Sequence, residues 1–416
     1  MGSIRIMPPW LAARFSTATC NTALITAFLL AAPPNAAAQG LKDVFEAAWT
    51  RQPMAQAREA RRDAFAARRT AAEALLPGPP ALSLDHETDR IGRNDGLRKF
   101  TGEVALPLWL PGQKERAQAV VGAEREAYDG QLALARLTLA GEVRDAYWLA
   151  RAALAEERVA QAALDSVAAL EADVARRVKA GELARVDGNR ALAETQLAKL
   201  ALAEAQARML RALAQFRALT GFERVPDESE VPVVSARPDA AAHPDVTAAA
   251  RTAEAARTRL AQAAGDTRDA PELGLGAAQA RTDATRPWEQ TVLLRLRIPF
   301  GGDNRNRPRI AAASAELAEG RAVQARAAAR VEAEMMSAER EREAARNALP
   351  LAESRAALAR DTQALIARGF TAGEFDLPTR LRAERELKEA ESGQVRARIE
   401  TGRAESRLKQ AYGMTP

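Results

Sequence analysis

A chain that carries one run of landmarks twice must fold into an architecture that accepts two copies of one unit. Pro53, in Gln52-Pro53-Met54, returns 191 positions later as Pro244, in His243-Pro244-Asp245 (53 to 244). Pro80, opening Pro-Ala-Leu-Ser-Leu, returns at the same interval as Pro271, opening Pro-Glu-Leu-Gly-Leu (80 to 271). Leu106-Pro107-Leu108 is echoed 192 positions on by Ile298-Pro299-Phe300, and Ala180-Gly181-Glu182 by Ala372-Gly373-Glu374. Gly221 and Gly413 keep the same interval. This order divides the chain into a first repeat over 39–236 and a second over 237–416. The stretch from Gly221 to Pro244, with Pro226, Pro232 and Pro238, reads as a linker.

Each repeat has the order helix, strand, strand, long helix, turn, helix. In the first, a helical pattern from Leu41 to Leu75 stops at Pro77-Gly78-Pro79-Pro80. Strand candidates follow at 82–88 and 99–110. Gln113 to Ala180 contains no proline, and those 68 residues would make a helix on the order of 100 Å long. Glycines 122, 130 and 141 weaken that helix locally without breaking it. In the second repeat a helix from Pro244 to Ala264 precedes strands near 272–279 and 288–300. A long helix from Pro308 to Arg368 follows, which Pro350 should kink. The returning helices run from Val186 to Leu219 and from Asp376 to Tyr412.

Composition agrees. Close to a quarter of the residues are Ala, only 4% are aromatic and 28% are charged. Such chains make long helices with shallow seams rather than β-sandwiches, disulfide scaffolds or large catalytic α/β domains. Hydrophobic content of 47% is too high for disorder. The formal charge of +5 comes from interspersed residues, which leaves no nucleic-acid footprint. Residues 1–38 read as a cleaved export signal. Arg5 and Arg14 precede an apolar run from Ala23 to Ala32, too short to span a bilayer comfortably, and Ala36-Ala37-Ala38 has the cleavage pattern. The single Cys20 leaves with that segment, and Gln39, not Cys, heads the mature chain, so no lipid anchor is expected.

The strand near 288–300 is the most explicit. Trp288, Gln290, Val292, Leu294, Leu296, Ile298 and Phe300 share one face. Glu289, Thr291, Leu293, Arg295, Arg297 and Pro299 share the other. Aliphatics against arginines at period two suit a membrane barrel, with Arg295 and Arg297 in a watery lumen and Trp288 and Phe300 at the interfaces; a soluble antiparallel sheet on a helical core is the alternative. Four strands cannot close a barrel, and an open edge is not tolerated in lipid. If these strands span a membrane, several chains must therefore share one barrel; three would contribute 12 strands, enough to leave a lumen.

On these residues the chain resembles the TolC family of outer-membrane efflux channels over nearly all of its mature length. The resemblance is carried by Gln52-Pro53 and His243-Pro244, by Pro107-Leu-Trp-Leu-Pro-Gly112 and Pro299-Phe-Gly-Gly302, by the turns at Gly181 and Gly373, and by Gly221 and Gly413. It implies a mainly α homotrimer: a shared 12-stranded barrel in outer-membrane lipid, and a tunnel of antiparallel coiled-coil helices crossing the periplasm. It also implies docking to a periplasmic adaptor and an inner-membrane pump of the RND type. The short chain and the segment Pro299 to Pro308 look most like the branch that exports heavy-metal cations; export of drugs or small organic molecules is the alternative. A soluble periplasmic coiled-coil adaptor is the alternative of another class, but it leaves the two strand pairs unexplained.

Such a channel has no catalytic residues and needs no cofactor. The helix turns Gly181-Glu182 and Gly373-Glu374 would mark the periplasmic tips and the adaptor-docking surface. Members of the family often carry an Asp six residues past the turn glycine, near the aperture. Asp187 matches in the first repeat, whereas Thr379 holds that position in the second and Asp376 lies three residues earlier. A ring of Asp187 carboxylates would favour cations; alternatively Asp187 only favours a helix N-terminus. Glu182 and Glu374 could meet an adaptor or simply be solvated. His86 and His243, the two histidines, form no metal-ligand cluster with any cysteine and read as structural.

Overall fold

The computed structural model describes residues 40–92, 94–227, 230, 236–301 and 303–416. The expected export signal lies outside them. Along 40–236 lie α1 (Leu41–Thr50), α2 (Pro53–Gln56), α3 (Arg58–Glu73), β1 (Ala81–Thr88), β2 (Arg98–Pro107), α4 (Gln113–Ala180) and α5 (Arg185–Thr220). Along 237–416 lie α6 (Pro244–Gly265), β3 (Glu272–Arg281), β4 (Glu289–Arg297), α7 (Asp303–Ala372) and α8 (Leu377–Ala411). The architecture is mainly helical with one four-stranded sheet, as the sequence implies.

Three details differ from the sequence reading. The opening helix is broken into α1, α2 and α3, because Pro53 forces Gln52 into extended backbone (ψ 136°) and restarts the helix behind it. β2 ends at Pro107 rather than Leu110, since proline has no N–H to continue a ladder. α7 starts at Asp303, so Pro308 lies inside its first turns, and the helix continues unbroken past Pro350. α4 likewise runs unbroken through all 68 residues. Two of its glycines are sites of close approach: a Cβ on Gly130 would stand 3.1 Å from the Ala248 Cα of α6, and one on Gly141 would stand 3.2 Å from the Gln410 side chain of α8.

The strands pair antiparallel in chain order, β1-β2-β3-β4, which leaves β1 and β4 as open edges. The long helices form two antiparallel hairpins, α4 with α5 and α7 with α8, joined where α4 packs on α8. In this row of four, α5 and α7 are outermost. The α4–α5 seam is narrow because α5 presents Ala191, Thr195, Ala198, Ala205 and Ala212 to it at coiled-coil spacing. Each such methyl contributes little, on the order of 0.8 kcal/mol, so the seam gains its stability by length.

Larger side chains gather at three levels. Phe45, Val143, Tyr147 and Phe216 fill the junction of α1, α4 and α5. Val246, Val331, Met335 and Leu408 join α6, α7 and α8. Leu170, Val174, Phe370, Leu377 and Leu381 clasp the two hairpins together near their tips. Among the described residues no helix is long and apolar enough to cross a membrane.

Candidate functional site

Two regions combine exposure with organised chemistry: the sheet and the helix tips. The register fixes the two faces of the sheet. One face carries, row by row, His86-Phe100-Gln279-Gln290, Leu84-Gly102-Ala277-Val292, Leu82-Val104-Leu275-Leu294 and Leu106-Leu273-Leu296. Most of these apolar side chains are solvent-exposed; Val292 is 86% and Leu84 77% exposed, while Leu106 and Leu273 are half-buried. Among the described residues nothing covers the outer rows. An exposed, contiguous apolar face of this size marks contact with another apolar phase. Along a strand the rows plus their flanks span about 25 Å, the height of a barrel's apolar band. Aromatic side chains cluster at the loop end of this face. His86 stacks on Phe100 at 4.3 Å, and Phe100 lies 6.1 Å from Trp288. Phe300 stands fully out beyond the other end of β4.

The opposite face is charged. Arg295 and Arg297 both lie on it, and both are engaged. Arg295 meets Glu103 at 2.8 Å, and Arg297 meets Glu272 at 3.5 Å. Glu103 belongs to β2 and Arg295 to β4, so this pair reaches across β3. It can do so because β3 has Gly274 opposite Arg295 and Gly276 opposite Glu103. A Cβ on Gly274 would collide with the Glu103 carboxylate, and one on Gly276 would stand 2.5 Å from the Gly102 carbonyl oxygen. Under that bridge the Glu103 side chain is only 6% exposed. The sequence pattern placed the arginines on the polar face; their partners required the register. Five carboxylates (Asp85, Glu87, Glu103, Glu272, Glu289) and three cations (Lys99, Arg295, Arg297) occupy this face, so it is net acidic.

At the other extreme, Gly181 and Gly373 end α4 and α7 with φ of 82° and 79°. Each closes the same double-bonded helix end. The Gly181 N–H donates to the Val178 carbonyl and Glu182 N–H to Arg177; Gly373 donates to Phe370 and Glu374 to Gly369. Glu182 and Glu374 are exposed at the tips. Asp187 sits in the first turn of α5, half-buried, 3.4 Å from Arg190. Asp376 caps α8, accepting from the Thr379 N–H at 3.0 Å. The Thr379 hydroxyl and, after it, that backbone bond hold its carboxyl below the ordinary value, and the Arg190 charge adds to the effect. Arg190 of the first hairpin therefore pairs with Asp187, and its charge is also felt by Asp376 of the second hairpin. Arg177 locks the same junction, its guanidinium 5.0 Å above the Phe370 ring.

Midway along the helices lies a polar core that sequence inspection missed. Arg144 of α4, 3% exposed, donates two bonds to Glu230 of the linker (3.0 and 2.7 Å) and one to Gln410 of α8 (2.6 Å). Ser406 donates to Glu230 and accepts from the Trp148 indole; Lys409 approaches Glu230 at 3.8 Å. Burial pushes the Lys409 amine below its usual value, with Glu230 opposing. Gly402 has no side chain because the Trp148 ring occupies that space. His243 caps α6, its Nδ1 accepting from the Asp245 N–H at 3.2 Å, and burial lowers its pKa despite the Gln410 backbone. Only the offset between His243-Pro244 and Gln52-Pro53 hinted at that cap. Among the described residues no group of three or more His, Cys, Asp or Glu is placed to hold a metal ion.

No family model and no curated protein matches the chain. Solved structures do. The outer membrane protein VceC of Vibrio cholerae superposes with a TM-score of 0.72 at 16% identity, over 90% of this chain and 96% of that one. CusC, described for folding and transmembrane channel formation, gives 0.74 at 15% identity over 90% and 92%. The outer-membrane channel OprN gives 0.72 at 19% over 90% and 89%. The likeness spans whole chains and establishes a shared fold.

Proposed function

We propose that this chain is one subunit of a homotrimeric outer-membrane channel of the TolC type, a passive conduit for cargo driven by an inner-membrane RND pump through a periplasmic adaptor. The observation that carries this reading is the sheet: four strands with an exposed apolar face, a charged opposite face and two open edges. In water the apolar face is a liability, and in lipid the open edges are. A ring of copies removes both, because β4 of one chain can pair with β1 of the next. The helices ask for the same closure. α7 buries Ala356 and leaves Leu351, Leu358 and Leu365, one heptad apart, exposed on other sides. α5 carries exposed Leu192, Leu197 and Leu200 about 10–23 Å from its tip end at the helical rise, overlapping the lower part of the α7 stripe, which spans about 10–32 Å. Gly181, Glu182, Gly373 and Glu374 would form the adaptor-facing rim, with Asp187 and Asp376 lining the aperture as rings of carboxylates. Arg295 and Arg297 would face the barrel lumen.

For cargo, the resemblance of the Pro299 to Pro308 segment supports heavy-metal cations, and acidic rings suit cations. Export would depend on the cleaved segment 1–38, without a lipid anchor. The decisive test has two parts. Outer-membrane fractions should contain a heat-stable trimer; release by a salt wash would instead point to the soluble adaptor. A deletion strain should lose tolerance to graded zinc, cobalt, cadmium, nickel or copper. Loss of tolerance to drugs and detergents alone would retain the channel and discard the metal cargo.

A further inference from the structure

Arg98 and Arg281 are direct partners in the β2–β3 register, on the apolar face of the sheet, one row beyond Phe100 and Gln279. Directly opposed residues hold their Cβ atoms about 4.5–5.5 Å apart, and two like charges there repel. Among the described residues neither arginine pairs with a carboxylate. The nearby Asp283 is taken by Thr285 and Arg286, while Glu87 and Glu289 lie on the opposite face. Arg281 is also held in place: its guanidinium lies 5.2 Å over the Trp288 ring, and its Nε is shut from solvent without a hydrogen-bond partner. A repelling, unneutralised pair fixed by packing against an aromatic is arranged for an oxyanion. The guanidinium fork matches phosphate bidentately.

The location selects the source. The pair stands immediately beyond the aromatic cluster His86-Phe100-Trp288, the level at which aromatic belts meet lipid headgroups. A soluble anion has no reason to bind on the rim of an apolar face. We propose that Arg98 and Arg281, braced by Trp288, form a seat for the phosphate of an anionic lipid headgroup in the leaflet at the loop end of the sheet. This rests on the reading of the sheet as a barrel wall. The seat would anchor each subunit at a fixed depth and tie β2 to β3 where their charges would otherwise part them.

The test is native mass spectrometry of the detergent-purified full chain, titrated with phosphorylated lipid A, with the same lipid dephosphorylated, and with sodium phosphate. Wild type should retain phosphorylated lipid A about thirtyfold more tightly than R98Q/R281Q, and about fivefold more tightly than R98Q alone, the weight of two or one arginines at a lipid surface. R98K/R281K should keep most of the affinity. The single variant decides the matter if the double one does not fold. Equal retention of both lipids by wild type, or equal retention by wild type and R98Q, overturns the seat. Displacement of the lipid by millimolar phosphate overturns the lipid as its occupant. A chain that carries no lipid and never enters the membrane fraction refutes the barrel wall itself, a separate outcome.

Discussion

The leucine edge of α7 permits a quantitative test of ring closure. Leu351, Leu358 and Leu365 are 73%, 66% and 51% exposed in the single chain. Their heptad spacing puts them on one stripe, away from the buried Ala356. Fully burying one leucine is worth about 1.5–3 kcal/mol. Weighted by exposure, the three together would contribute about 3–6 kcal/mol to each subunit contact. A closed trimer has three such contacts, so the assembly would lose about 9–17 kcal/mol on their removal. The triple substitution L351S/L358S/L365S should therefore abolish the oligomer at micromolar protein. The hairpin itself should survive, since the α7–α8 seam is untouched. Light scattering after gel filtration in detergent reads the mass, and helical circular dichroism reads the fold. Loss of the oligomer with retained helicity is expected. An unchanged trimer would refute the stripe as the closing seam. The same substitutions on Leu192, Leu197 and Leu200 of α5 should phenocopy it, because the seam needs both sides.

The polar core makes a second prediction. E230A leaves Arg144 buried and unpaired, and should cost about 3–5 kcal/mol. R144M/E230A should recover part of that loss in thermal melts, and strict additivity of the two single variants would show that they do not interact. At the tips, G181A and G373A have open space for a methyl, so only the left-handed backbone resists. Each should cost about 1–2 kcal/mol, and a larger loss in chemical denaturation would reveal contacts beyond the turn. His243 is held neutral by burial, so its folded pKa lies below the ordinary 6.5. As pH falls through 6.5 the unfolded chain takes up the proton first, and stability declines. Melting temperatures from pH 8 to 5 should slope less in H243N, whose side chain can still cap α6; an identical slope would exclude His243 as the source.

The sequence alone determined the features that depend on one stretch of chain. Its doubled landmarks specify two copies of one plan, because Pro and Gly mark backbone geometry wherever they stand. The 68-residue helix and its turn at Gly181 follow from a proline-free stretch and the glycine that ends it, both local. The two faces of β4 follow from the pleat. What the sequence left open are pairings between residues far apart in the chain. Arg295 was assigned to the polar face, but its bond to Glu103 depends on the register that sets Gly274 and Gly276 between them. Arg98 and Arg281 lie 183 positions apart (98 to 281) and become neighbours only when β2 and β3 align. Glu230 looked like one more acid in a linker until α4 and α8 enclosed it. Periodicity reports which way a side chain points from its own element. Which side chain it meets is decided by packing, where burial and charge compensation are settled between elements that the sequence keeps apart.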